Sequence, residues 1–319
     1  MSAVYTFTPN PCIDKSVSVP VLLPDKKLHC RVDLQQPGGG GINVARVIKR
    51  LGPDPVALFP AGGSSGELLQ QLLQQEEIAA EIVAVTKPTR ENIIVTESAT
   101  QRQYRLGMPG ENLSNAEWSR CLDAIEKAEG LQYLVVSGSF PDDEPGDVFQ
   151  QLAVIAAKKQ VKLIVDSSGR SLQAAIRAGV YLIKPNLSEL AGISGKKELN
   201  EYQVIEEARE LIRSKFCEVV VVSMDARGAI LVSEDQCFRV IPPVIKPRSS
   251  VGAGDSMVGG LVYSLSIGRN LQDALRMGVA CGSAAIMNPG TTLCKVEDAL
   301  VIYDQTQLIP LDSLSAVRY

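Results

Sequence analysis

The sequence predicts an α/β fold in which a central, mostly parallel β-sheet is flanked by helices and carries a small β-sheet lid. The central sheet is indicated by short runs such as YLVVSG and CEVVVVSM, apolar almost without interruption and separated by helical stretches. That pattern suits strands covered by helices on both faces. The lid is indicated by two segments in the first third of the chain that alternate polar and apolar residues and contain turn residues. With 45% hydrophobic side chains among 319 residues, the chain can bury a large core.

Taken in order, residues 12–36 (CIDKSVSVPVLLPDKKLHCRVDLQQ) have the two-residue rhythm of a hairpin and begin the lid. Helical spacing follows over 41–52 (GINVARVIKRLG) and again near 66–75 (GELLQQLLQQ). Residues 81–108 return to alternation, which gives a lid built from about 12–35 and 86–107. Further on, 131–138, 161–169, 181–186 and 217–224 read as strands of the central sheet. Helices over 145–160 and 201–216 carry Lys or Arg in their last turns, where the helix dipole favours cations. No repeat, low-complexity tract or long linker interrupts the chain, so residues 1–319 are expected to form one folding unit with its lid.

Composition narrows the function. A formal charge of −4 and a pI near 5.3 leave no broad basic surface for nucleic acid or a membrane, so an anionic partner must be gripped locally. No basic, apolar leader opens the chain, and no stretch approaches the roughly 20 apolar residues that cross a bilayer, so a cytoplasmic protein is expected. Seven cysteines form no C-x-x-C pair and are odd in number, which argues against zinc and a disulfide framework and for reduced, mostly buried thiols.

In open α/β sheets, ligands bind beyond the carboxyl ends of the strands. The strand ends here carry Ser137 and Ser139, then Asp166, then Lys184 and Asn186, then Ser223 and Asp225. Any one of these could be an ordinary polar turn residue, but the four strand ends are polar together. The stretch VGAGDSMVGG (251–260) adds three small residues, Gly252, Ala253 and Gly254, before an apolar helical run. Their backbone N–H groups suit an anion at a helix N-terminus. Asp255 beside them would be repelled by a bound phosphate unless it accepts a proton from an attacking hydroxyl, yet an Asp here also suits a helix cap. Spacing does not separate the two. GISGKK (192–197) lacks the full P-loop pattern, and PGGGGINVAR (37–46) does not spell G-x-G-x-x-G, which disfavours a dinucleotide fold. The four glycines do permit close backbone approach to a ligand, ending at the Asn43 amide.

PGGGGINVARVIKRLG and SSVGAGDSMVGGLV resemble the two signatures of the ribokinase-like PfkB carbohydrate kinases, with KPNLSEL between them similar to the N-x-x-E magnesium element. The resemblance covers essentially the whole chain. The four-glycine run, TRENIIV, QYRLGMPG and GAGDSMVG are similar to the branch that acts on fructose 6-phosphate. It implies a ribokinase-like fold and an ATP-dependent transfer of the γ-phosphoryl group to the 1-hydroxyl of that sugar phosphate. Tagatose 6-phosphate or fructose 1-phosphate are the alternative acceptors, and a non-catalytic sugar-phosphate-binding regulator is the alternative of another class.

Carried onto this sequence, the resemblance makes Asp255 the general base and the amides of Gly252, Ala253, Gly254 and Asp255 the anion hole. Asp14, Gly39, Gly40 and Asn43 would hold sugar hydroxyls, and Lys27, Arg90, Arg105 and Ser139 would serve the substrate side, the two arginines and Ser139 gripping its phosphate. Lys184, Asn186, Ser223, Asp225 and Gly228 would line ATP, with Asp166 supporting that region. Asn186 and Glu189 would organise Mg²⁺ through water. A monovalent cation, K⁺, would be bound by Ser249, Val251, Ala285, Asn288 and Gly290. The sequence departs from that branch at Asp225, at Thr292 and in SGSFPDDEPG (137–146). The lone His29 lies on the lid, away from the motifs. A homodimer through the lid is expected, since exposed sheet faces and edges need cover.

Overall fold

The computed structural model describes residues 4–141, 144–288 and 290–311. The chain begins with β1 (Val4–Phe7), then β2 (Cys12–Val19) and β3 (Arg31–Gly38), α1 (Gly40–Leu51), β4 (Val56–Ala61), α2 (Gly63–Gln75) and β5 (Ala79–Ala84). Next come β6 (Arg90–Glu97), β7 (Arg102–Leu106), α3 (Asn115–Lys127), β8 (Tyr133–Ser137), α4 (Val148–Lys159), β9 (Lys162–Asp166), α5 (Gly169–Ala178) and β10 (Val180–Ile183). The remainder is α6 (Leu187–Ile193), α7 (Glu201–Arg213), β11 (Cys217–Ser223), β12 (Ala229–Ser233), β13 (Cys237–Ile241), α8 (Ala253–Ser266), α9 (Leu271–Ile286), α10 (Val296–Gln305) and β14 (Gln307–Pro310).

Ten of these strands form the central sheet in the order β14-β13-β12-β11-β10-β9-β8-β1-β4-β5. It is parallel from β11 to β5, and antiparallel pairs join β11, β12, β13 and β14 at the other end. Alternation sorts the strand side chains onto two cores. On β8, Leu134 and Val136 join the core that includes Trp118 of α3, Phe149 of α4, Leu172 of α5 and Val204 of α7. Tyr133 and Val135 face Val44 of α1, Val258 and Leu261 of α8 and Leu275 of α9. β11 divides in the same way, Val220 and Val222 against Val219 and Val221.

The second sheet has the order β3-β2-β6-β7, with β2 and β6 parallel and both outer pairs antiparallel. The lid segments thus pair as the alternation indicates, with one correction. β5, which overlaps the start of the 81–108 segment, pairs with β4 in the central sheet, where Val83 joins the core that includes Leu58 of β4. The first third also contributes β1 and β4 to the parallel sheet, short strands that the two-residue pattern did not reveal. No helix among the described residues is long and apolar enough to cross a membrane. Six of the seven cysteines are buried and Cys30 is exposed.

Candidate active site

The carboxyl ends of β8, β9, β10 and β11 bring the expected polar residues to one edge of the sheet. Asp166 closes β9, and its carboxylate lies 3.1 Å from the Lys184 ammonium just past β10. Both side chains are largely buried. Burial opposes the charge on Lys184, but Asp166, with Glu189 and Asp255 behind it, holds the ammonium above its ordinary range. The start of α8 joins them: a Cβ built on Gly254 would lie 3.8 Å from Lys184 Nζ.

Asp255 is the third residue of α8, and Gly252, left-handed with φ 71°, is the N-cap. No side chain caps this helix, so Asp255 is not the cap that the spacing alone allowed. Its carboxylate instead accepts a hydrogen bond from Asn43 Nδ2 at 2.8 Å. Burial and the neighbouring Asp166 push its pKa up to about 6, with a smaller push from Asp14, against the opposing effects of Asn43 and Lys184. A carboxyl poised there can accept a proton near neutral pH.

A cleft of about 320 Å³ opens over Asp255, lined among others by Asp14, Gly39, Gly40, Asn43, Arg90, Arg105 and Thr291. Its floor requires glycine. A Cβ on Gly40 would fall 2.5 Å from the Gly138 amide nitrogen and from Ser137 Oγ, and Gly39 has φ 109°. Asp14 is oriented by Asn92, whose Nδ2 donates to Asp14 Oδ1 at 3.0 Å while its Oδ1 accepts from the Met108 N–H at 3.1 Å. Arg90 donates to the carbonyls of Asn10 and Met108, which aims its guanidinium along the rim. Ser139 Oγ accepts from Asn10 Nδ2 at 3.2 Å. Asn92 was not singled out in the sequence, although it shares the strand face of Arg90 two residues earlier.

The structure does not gather every expected residue. Lys27, between β2 and β3, is exposed and is not among the cleft-lining residues. Asn186 and Glu189 form a reciprocal capping box on α6, each side chain accepting the other's backbone N–H at 2.8 Å. Ser223 bridges to Asn186. Asp225 opens a short 3-10 turn in the left-handed region, φ 51°, and Gly228 closes it at φ 83°, where a Cβ would strike the Val240 carbonyl. Beside α8, Ser249 Oγ donates to the Gly290 carbonyl at 2.7 Å and accepts from the Val251 N–H at 3.2 Å. Asn288 Nδ2 donates to the carbonyls of Ala284 and Leu293. Ala285 is buried in α9.

A family model described as pfkB family carbohydrate kinase matches residues 8–299. The ATP-dependent 6-phosphofructokinase isozyme 2 of Escherichia coli (strain K12) is 40% identical over 304 residues, 95% of this chain and 98% of that protein. The phosphofructokinase-2 of Escherichia coli solved in complex with potassium superimposes with a TM-score of 0.91 at 40% identity, covering 96% of this chain and 99% of that one. Its complex with fructose-6-phosphate gives 0.89 at 38% identity, with the same coverage.

Proposed function

The chain belongs to the pfkB family of carbohydrate kinases, and on that premise we propose that it transfers the γ-phosphoryl group of MgATP to the 1-hydroxyl of fructose 6-phosphate, giving fructose 1,6-bisphosphate. The observation that carries the reading is Asp255, held by Asn43 at the start of α8 and facing a cleft whose other rim bears Arg90 and Arg105. The two guanidiniums suit the phosphate already on the acceptor. Asp14 and the backbone of Gly39 and Gly40 suit the ring hydroxyls, and Asp255, in the same cleft, suits the 1-hydroxyl.

In the reaction the hydroxyl oxygen attacks the γ-phosphorus, its proton passes to an Asp255 oxygen, and the bond from the γ-phosphorus to the bridging oxygen breaks to release ADP. The N–H groups of residues 252–255 supply fixed donors for the charge on the transferring oxygens, reinforced by the helix dipole. Lys184 and Asp225 flank the nucleotide side. Hard oxygen donors at Asn186 and Glu189 fit Mg²⁺ held through water, since each capping bond uses only part of its oxygen's capacity. A Mg²⁺ held there would supply charge neutralisation of the phosphates. The carbonyl-rich turn around Ser249, Val251, Ala285, Asn288 and Gly290 suits K⁺.

The small sheet acts as a lid that excludes water from the transfer. It exposes Val32, Leu34, Tyr104 and Leu106 on its edge strands β3 and β7, and a second copy of the chain covering that surface gives a homodimer. A monomeric mass at assay concentration would rule the dimer out. The acceptor is tested by ADP release with MgATP and, in turn, fructose 6-phosphate, tagatose 6-phosphate, fructose 1-phosphate and fructose. The highest kcat/KM is expected for fructose 6-phosphate, and a higher value for another sugar reassigns the acceptor.

A further inference from the structure

We propose that Arg46, clamped by Glu76, is a positioning residue that fixes the Asn43 side-chain amide with its NH₂ group toward Asp255 and the sugar cleft. Arg46 lies in the middle of α1 and is 1% exposed. Its Nε and Nη2 fork onto the Glu76 carboxylate at 2.7–3.0 Å, while Nη1 donates to the Pro37 carbonyl at 3.0 Å and to Asn43 Oδ1 at 3.3 Å. Burying a guanidinium is costly, and an apolar residue of similar volume would serve the packing of α1 as well or better. The charge therefore calls for a role other than packing.

The role follows from donor chemistry. An Asn amide has a donor end and an acceptor end of nearly the same shape, and a guanidinium only donates. Asn43 must turn Oδ1 to Arg46, which turns Nδ2 to Asp255 Oδ2 at 2.8 Å. The flipped amide would face NH₂ against the guanidinium and oxygen against the carboxylate. The bond to Pro37 ties the same guanidinium to the end of β3, where the chain enters the glycine loop, so loop and amide are held together. Arg46 itself lines no part of the cleft. Glu76, the C-cap of α2, meets it from the surface, with 30% of its side chain exposed.

The inference rests on the reading of Asn43 and Asp255 given above, and its test separates the two. Kinetics and fructose 6-phosphate titrations on the full chain would compare wild type, Arg46→Lys, Glu76→Gln, Asn43→Ala and the Arg46→Lys/Asn43→Ala pair. Both Arg46→Lys and Glu76→Gln are expected to raise the KM and Kd for fructose 6-phosphate about tenfold, as loss of one oriented hydrogen bond should, and to leave the KM for MgATP unchanged. In the Asn43→Ala background, Arg46→Lys should add less than about twofold, because the group it orients is gone. Glu76 is partly exposed, so its variant gives a result even if Arg46→Lys does not fold. A folded Glu76→Gln with wild-type constants, a loss of active enzyme with both KM values unchanged, or full multiplication of the two single effects would overturn the proposal. A different preferred acceptor in wild type overturns only the acceptor assignment, and the same contrast is then measured with that sugar.

Discussion

Replacing Asp255 by Asn is expected to remove the chemistry and yet stabilise the fold at neutral pH. The carboxyl titrates at about 6 in the folded chain, raised by burial and by Asp166, against an ordinary value of 3.8. Between those values the folded chain keeps a proton that the unfolded chain has lost. Stability therefore falls as pH rises through that window, and the cost is complete above about pH 6. The interval corresponds to about 3 kcal/mol at most, and solvent relaxation at a half-buried site lowers this to about 1–2 kcal/mol. In a chain of this size that is a gain of roughly 2–6 °C in Tm at pH 8 for Asp255→Asn. Near pH 4 the wild-type group is already protonated, and the gain should shrink toward zero. Thermal melts of both proteins at pH 4 and pH 8 read the difference directly. A variant less stable than wild type at pH 8, or a gain independent of pH, would refute this account of the site's electrostatics. The same titration places the acid limb of kcat/KM near pH 6 in wild type.

Three further outcomes are expected. Gly40→Ala places a Cβ 2.5 Å from the Gly138 nitrogen and Ser137 Oγ, so the loop must move; kcat/KM should drop at least about 100-fold with a stability loss of about 1–3 kcal/mol, read by kinetics and denaturant unfolding. Lys184→Met removes the cation that offsets the burial of Asp255, so the acid limb of kcat/KM should move above pH 6 and the KM for MgATP should rise about tenfold or more. Glu117 accepts the backbone N–H groups of Thr86 and Ser114, which hold its carboxyl down to about 2 against an ordinary 4.5. Its stabilisation is full above about pH 4.5 and lost as pH falls toward 2, so Glu117→Ala should cost about 1–3 kcal/mol at pH 7 and progressively less in acid urea melts.

Much of the fold was legible because the signals were local. β8, β9, β10 and β11 are apolar runs that stand out between helical stretches, and α7 announces itself through helical spacing and the cation in its last turn. β1 and β4 were not visible, since they lie in the third of the chain that reads as alternating lid and their burial depends on neighbours far away in sequence. The reading of 81–108 as hairpin strands ran over the end of β5, whose mostly exposed residues at the edge of the central sheet give little sign of which sheet they join. At the site, the glycines and Asp255 carried their chemistry in the sequence itself. What Asp255 bonds to did not: Asn43 is 212 residues away, and only the packing of α1 against α8 joins them. Arg46 was hidden for the same reason, since nothing in ARVIKRL distinguishes a buried guanidinium from a surface one until Glu76 is seen to meet it.

The most direct test of Asp255 as general base is a single-turnover measurement at pH 8 with excess enzyme, MgATP and fructose 6-phosphate, following fructose 1,6-bisphosphate in wild type and Asp255→Asn. The account predicts that phosphoryl transfer slows at least about 100-fold in the variant while the dissociation constants of both substrates change less than about threefold. Transfer at the wild-type rate in the variant would contradict it, leaving Asp255 with a structural part at the start of α8.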